Sequence, residues 1–362
     1  MSLSTGEATL TIRSSDGAYD VLASASLADA VRAVGRPGAF CLVDARVLEL
    51  YGAALRDLVD GDRMIAVEAS EEVKSYEALA PIFTTLLERG IKRDGMLLVV
   101  GGGVLQDLGC FIASVLFRGV EWALVPTTLL AQCDSCIGSK SSINIGTYKN
   151  QIGTFYPPRA VALTHEVLHT LAWDDVRSGV GEMLKLHLLT GTPEYASLLE
   201  SLAHLPADRS VLPPRILDSL RIKQRYIEAD EFDTGIRNLL NYGHTFAHAY
   251  ESATHFRIPH GIAVTLGMLT ATYVSATLGL VDEDYFVTLS AELRPWHTPY
   301  EGMLLDVAPA AMRRAVLTDK KATQAGVHCI LTRGAGRMEK RLVPLDDVLM
   351  PAVAAFIQRI GG

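Results

Sequence analysis

The feature that most constrains the fold is MLLVVGGGVLQDLGCF, in which the apolar run Met96 to Val100 meets three successive glycines and then a helical pattern from Gln106. A short continuous apolar run predicts a strand buried on both faces, and such strands belong to parallel sheets covered by helices. Glycines at the strand-to-helix turn let backbone N–H groups approach a pyrophosphate, and the positive end of the helix dipole adds to the attraction. GGGVLQD is not the G-x-G-x-x-G fingerprint, so tight turning without a ligand remains an alternative at this point.

The same alternation runs through the first half of the chain. Strands are expected at Ala8 to Arg13, Ala39 to Val43, Met64 to Val67 and Trp122 to Val125, beside Met96 to Val100. Apolar residues at helical spacing mark Ser75 to Arg89 and Gln106 to Phe117. Beyond about Leu171 the β signal fades. Amphipathic helices are expected through to Leu278 and again near Asp346 to Ile360, with one β-like piece at Val327 to Leu331. The fold class is therefore an α/β domain with a parallel sheet, residues 1–170, followed by a mostly α-helical domain, residues 171–362. A chain of 362 residues with 49% apolar content can bury a core in each.

Charge narrows the partners. With 33 basic against 41 acidic residues, net charge −8, and no long Lys/Arg run, neither nucleic acid nor an anionic membrane is expected. An anionic substrate would have to be met by a local group of cations. No apolar run reaches the roughly 18 residues of a membrane helix, and MSLSTGEATL has no charged-then-apolar leader pattern, so the expected location is cytoplasmic. Five scattered cysteines do not make a disulfide framework; Cys133 and Cys136 form a C-x-x-C without a second pair and are expected as buried thiols.

Chemistry concentrates in NYGHTFAHAYESATHFRIPH, Asn241 to His260. His244 and His248 share a helix face, and His260 follows a break marked by Pro259 and Gly261. Metal binding and a surface histidine cluster both fit this spacing.

Longer motifs carry a resemblance. GGGVLQDLGCF, FRGV, VPTTLLAQ, KNQIGTFYPP, SGVGEMLK, ADEFDTGIRNLLNYGHTFAHAYES and HGIAVTLGM stand in the order found in dehydroquinate synthase and its relatives, the sugar phosphate cyclases, which the chain resembles over most of its length. The resemblance implies that residues 1–170 bind NAD and that residues 171–362 bind metal and substrate. It further implies an active site between the domains, one divalent metal, zinc or else cobalt, and a homodimer. Metal ligands carried over residue by residue are Glu182, His244 and His260, which leaves His248 to face the substrate phosphate. Implied cofactor contacts are Asp44, Glu71, Lys74, Gly103, Val104, Asp107, Thr127, Thr128, Lys140, Lys149 and Thr170. Implied catalytic and substrate residues are Lys140, Asn150, Lys185, Lys223, Asp233, Arg237, Asn241 and His248, with Asp134 of AQCDSC and with Arg118 of FRGV reaching a neighbouring subunit's phosphate site.

In that family a ring hydroxyl is oxidised, phosphate leaves by β-elimination, the hydride is returned, and ring opening with aldol closure gives a carbocycle without net redox change. Lys223 and Arg237 match the pair that holds the carboxylate of 3-deoxy-D-arabino-heptulosonate 7-phosphate, so conversion of that substrate to 3-dehydroquinate and phosphate is the expected reaction. Three departures favour an alternative, a cyclase of secondary metabolism acting on sedoheptulose 7-phosphate or an amino analogue. Asp233 stands where the family usually has Glu, the loop SCIGSKSSIN is rich in serine, and DKKATQAGVHCILTRGAG, containing Asp319, Lys320 and Lys321, lacks the usual ending. A metal-dependent polyol or glycerol-phosphate dehydrogenase is the third reading; Glu182 and KNQIGTFYPP oppose it.

Overall fold

A computed structural model describes residues 8–146, 148–318, 322–323 and 325–360. Asp319, Lys320 and Lys321 lie outside these. The chain forms two compact units, Met1–Leu171 and Ala172–Gly362.

The first unit runs β1 (Ala8–Ser14), β2 (Gly17–Ser24), α1 (Leu27–Val34), β3 (Phe40–Asp44), α2 (Ala45–Arg56), β4 (Met64–Val67), α3 (Tyr76–Glu88), β5 (Met96–Gly101), α4 (Gly103–Val115), β6 (Glu121–Pro126), β7 (Ile143–Ile145), β8 (Tyr148–Ile152) and β9 (Ala160–Thr164). Seven strands make one sheet in the order β1-β2-β9-β6-β5-β3-β4, parallel except for the β1–β2 hairpin. Every residue of β5 is buried, as its unbroken apolar run requires. Helix α4 starts three residues earlier than the apolar spacing indicates, at Gly103, because glycine carries no periodicity to read. Strands β2 and β9 escape the sequence reading. AVALT is five residues with two alanines, and its four buried positions are made a strand by pairing with β2 and β6.

The second unit runs α5 (Trp173–Leu188), α6 (Thr192–Leu202), α7 (Leu212–Ala229), α8 (His244–Ala253), α9 (His260–Thr277), α10 (Glu283–His297), α11 (Glu301–Leu305), α12 (Pro309–Thr318), β10 (Ala322–Thr323), β11 (Gly326–Thr332), β12 (Met338–Val343) and α13 (Met350–Ile360). The β-like piece expected at Val327 to Leu331 is the centre of a three-stranded antiparallel sheet. Helix α9 corrects the expectation of amphipathic helices: every residue from Gly261 to Thr272 is buried. It is the axle of the unit, packed by α5, α8, α10, α13 and β11, and a helix enclosed on all sides has no polar face to show. Its buried hydroxyls stay satisfied by bonding back one turn, Thr265 to Gly261 O at 2.9 Å, Thr270 to Leu266 O at 2.8 Å and Thr272 to Met268 O at 2.8 Å.

Candidate active site

In the second unit, three helices each present one donor to a common point. Glu182 lies in α5 with 2% exposure, His244 is the first residue of α8, and His260 is the first residue of α9. The helix starts are fixed locally: Gly243, φ 81°, turns the chain into α8, and Pro259 ends the preceding segment in an extended conformation before α9. Glu182 Oε1 lies 3.2 Å from His260 Nε2 and 3.7 Å from His244 Nε2. Ligand atoms of the three residues all fall within 4.8 Å of one another. Two imidazoles and one carboxylate at this spacing suit a zinc-like cation and leave coordination positions for a substrate oxygen.

The remaining atoms of the cluster are also engaged. His244 Nδ1 is 3.4 Å from Tyr242 O and His260 Nδ1 is 3.1 Å from Glu251 Oε1, which leaves both Nε2 atoms for a metal. The other oxygen of Glu182 is 2.5 Å from Lys185 Nζ, and both side chains are almost wholly buried. Glu251 is the functional residue missed in the sequence, although the signal was present: it falls three residues after His248 and seven after His244, on the same helix face. Glu251→Ala is expected to weaken metal affinity roughly 10- to 100-fold, read by competition with a chelating dye, because such carboxylates fix the orientation and basicity of a ligating imidazole.

Packing acts to lower the pKa of His260, but the Glu251 and Glu182 carboxylates outweigh it and hold the ring at about 10. The metal-free site therefore carries a proton at neutral pH, and metal binding at about pH 8 should displace roughly one proton. Calorimetric titration in two buffers of different ionisation enthalpy reads this; heats that do not depend on the buffer contradict it. A raised folded-state pKa contributes stability below the ordinary histidine range, and that contribution is lost as pH rises through about 10.

His248 belongs to the same group. Its ring centroid is 5.6 Å from that of His244 and 6.1 Å from that of His260, and with Glu251 and His260 it forms a second set of donors near enough to hold a cation. Arg237 and Lys223, 4% and 7% exposed, lie on the loop before α8 and on α7. The Arg237 loop is organised by Asp230, whose carboxylate accepts from the N–H groups of Thr234, Gly235 and Arg237 at 3.0, 2.7 and 3.0 Å. The Arg237 guanidinium donates to Glu231 O. Asp233 takes a left-handed conformation, φ 58°, and its Oδ1 accepts from Asn238 Nδ2 at 3.0 Å; Asn238 in turn accepts from Lys340 Nζ at 2.7 Å. The shorter acid thus serves the loop's own bonding. Asn241 donates to Asn238 O at 3.2 Å.

In the first unit, the glycine turn divides its roles. A Cβ on Gly101 would strike Leu105 at 2.7 Å and one on Gly102 would strike Thr128 at 2.8 Å, so these two serve packing. At Gly103, the first residue of α4, a Cβ would meet only Ser135 Oγ at 3.7 Å. That is the geometry a pyrophosphate needs at a helix N-terminus. Glu71, Lys74, Asp107 and Lys149 are brought together: Lys74 Nζ to Asp107 Oδ2 is 2.5 Å, Lys149 Nζ to Glu71 Oε1 is 2.9 Å, and Asn144 donates to Glu71 at 2.8 Å. Asp44 ends β3 and caps α2 by accepting from Arg46 N at 2.9 Å, with burial raising its pKa. Thr127 is buried, with its N–H on Gly101 O, while Thr128 Oγ1 accepts from Ala131 N. Thr170 bonds Tyr51 at 2.9 Å.

Lys149 and Lys185 are paired with carboxylates. Lys140 is exposed, over the Phe155 ring. Asn150 is exposed in a left-handed conformation, and its N–H donates to Asn144 Oδ1 at 2.9 Å. Asp134 is 8% exposed in a π-helical turn, and Arg118 is exposed in a left-handed corner, φ 65°. The serine-rich loop is held by its own hydroxyls: Ser141 bonds Thr154 at 3.0 Å and Ser142 donates to Asp107 at 3.0 Å. Cys133 and Cys136 are buried thiols facing the carbonyls of Leu130 and Gln132. Among the described residues, no helix is long and apolar enough to cross a membrane.

Comparison with known proteins identifies relatives of this chain. The family models described as 3-dehydroquinate synthase N-terminal and C-terminal match residues 64–178 and 179–322. A 3-dehydroquinate synthase of Alkaliphilus oremlandii is 36% identical over 317 residues, covering 85% of this chain and 86% of the relative. Two solved structures share the fold at lower identity. A 2-deoxy-scyllo-inosose synthase complexed with carbaglucose-6-phosphate, NAD+ and Co2+ superposes with TM-score 0.83 at 22% identity, covering 97% of this chain and 99% of the other. ValA, the 2-epi-5-epi-valiolone synthase of Streptomyces hygroscopicus with NAD+ and Zn2+ bound, gives 0.77 at 23% identity, covering 95% and 96%.

Proposed function

The chain belongs to the 3-dehydroquinate synthase family, and from that premise we propose that it converts 3-deoxy-D-arabino-heptulosonate 7-phosphate to 3-dehydroquinate and phosphate. It acts as a carbon–oxygen lyase, and as a cytoplasmic homodimer. The observation that carries the substrate assignment is the presence of Lys223 and Arg237 as buried cations. A guanidinium fork and an ammonium held out of water match a carboxylate through charge-assisted hydrogen bonds.

Glu182, His244 and His260 would hold the metal, and the α4 N-terminus with Gly103, Val104 and the Lys74–Asp107 and Lys149–Glu71 pairs would hold NAD. Bound there, NAD supplies reversible hydride exchange at a substrate hydroxyl and the divalent metal supplies polarisation of that hydroxyl. The chain's own work is placement and charge. Arg237 and Lys223 fix the carboxylated end of the substrate. His248 and Asn241 face its phosphate, and the phosphate itself accepts the proton that leaves with it, so no separate carboxylate base is required and Asp233 is free to shape the loop. Lys185 pairs with Glu182 and aims it. Exposed Val115 and Phe117 flank Arg118 and support a homodimer in which that corner meets a second copy.

Phosphate release from the heptulosonate phosphate, sedoheptulose 7-phosphate and glucose 6-phosphate, assayed side by side with NAD and Zn2+, tests the proposal. The carboxylated sugar should be turned over fastest. Preferred turnover of sedoheptulose 7-phosphate would assign the chain to the secondary-metabolism branch instead.

A further inference from the structure

We infer that Ser178 is a positioning residue for the metal centre, acting with the glycine pair Gly181 and Gly261 to set the distance between Glu182 and His260; the inference rests on the metal reading above. Glu182 follows Gly181 in α5, and Gly261 follows His260 in α9. A Cβ at Gly261 would lie 1.7 Å from Ser178 O, and one at Gly181 would lie 2.0 Å from Gly261 O. Neither position has room for a side chain, so the two backbones meet directly beside the two donors. How close the helices come at this level decides how far Glu182 Oε1 stands from His260 Nε2, now 3.2 Å.

Ser178 turns that contact into a fixed register. Its Oγ accepts from the Gly261 N–H at 2.9 Å, in a buried position. This N–H belongs to the first turn of α9, where no intrahelical acceptor exists, and Pro259 at the N-cap contributes no side-chain oxygen. A serine from a different helix therefore caps α9 at the turn that carries His260. Ser178 is also one helical turn before Glu182, so the cap and the carboxylate leave α5 on the same face. The third donor is seated in a related way: a Cβ at Gly267 of α9 would lie 2.2 Å from Gly243 O, next to His244. All three donors thus adjoin a glycine at a helix contact.

Packing alone predicts that losing the serine hydroxyl lowers stability and nothing else, whereas a positioning role predicts a change in the metal centre. Co2+ uptake by the full chain, followed by its visible spectrum and by affinity, separates the two. Ser178→Ala should weaken Co2+ binding roughly tenfold or more and alter the spectrum. Thr270→Val, which removes a buried hydroxyl of the same helix that bonds Tyr250 at 2.6 Å, should lower stability while leaving affinity and spectrum as in the parent. Should Ser178→Ala not fold, Ser178→Cys, which fills the same space with a much weaker acceptor, makes the same test. Parental affinity and spectrum in the folded Ser178 variant would overturn the inference while leaving the metal reading intact. Failure of the parent to bind Co2+, or binding retained by Glu182→Ala, would overturn both.

Discussion

Replacing Glu182 by alanine is expected to abolish metal uptake and to destabilise the fold by roughly 3–5 kcal/mol, the cost of removing one partner from a buried ion pair. The magnitude comes from Lys185. Its Nζ is 2.5 Å from Glu182 Oε2, and the two side chains are 4% and 2% exposed; with the carboxylate gone, an ammonium stays in the interior of α5. Metal analysis of the purified protein and the urea midpoint read the two effects separately. A double variant, Glu182→Met with Lys185→Met, divides them further. It removes both buried charges and should regain most of the stability, because a buried pair is often no better than apolar residues of similar volume, yet it should remain without metal and without turnover. Metal retained by either variant would mean that the donor set has been misassigned.

Arg237→Ala is expected to lower kcat/KM for the carboxylated heptulosonate phosphate roughly a thousandfold and to leave turnover of sedoheptulose 7-phosphate, however slow, nearly unchanged. Sites built to pair a polar group of the substrate discriminate by several orders of magnitude when one side of that pairing is removed. The loop should largely survive the change, since Asp230 binds the backbone N–H groups of residues 234, 235 and 237, which the substitution keeps, while the guanidinium's bond to Glu231 O is lost. Lys223→Ala should act in the same direction. Equal losses on both sugars would point to a collapsed loop, and the substrate assignment would then lose its support.

The parts of this fold that were legible in the sequence are those whose pattern is local. Met96 to Val100 reads as a central strand because it is apolar on both faces, and the following glycines mark the turn. Strand β2 is defined by its partners, antiparallel to β1 on one side and parallel to β9 on the other. Helix α9 carries little periodicity because every residue from Gly261 to Thr272 is buried. The histidine segment shows the same limit. Spacing puts His244 and His248 on one face, but only the packing of α5 and α8 on α9 brings Glu182 to them, and the resemblance alone pointed there. Glu251 stands inside the segment, and spacing alone does not tell it from an ordinary helix carboxylate. In the serine-rich loop, Ser141 and Ser142 find partners in Thr154 and Asp107. Hydroxyl partners distant in sequence cannot be inferred from composition.

The most direct test of the central claim follows phosphate release and nicotinamide absorbance together, in one reaction of the zinc-loaded protein with NAD and 3-deoxy-D-arabino-heptulosonate 7-phosphate. A cyclase returns the hydride it takes, so phosphate should accumulate over many turnovers with no net NADH. NADH accumulating without phosphate would contradict the account and make the protein a dehydrogenase built on the same fold.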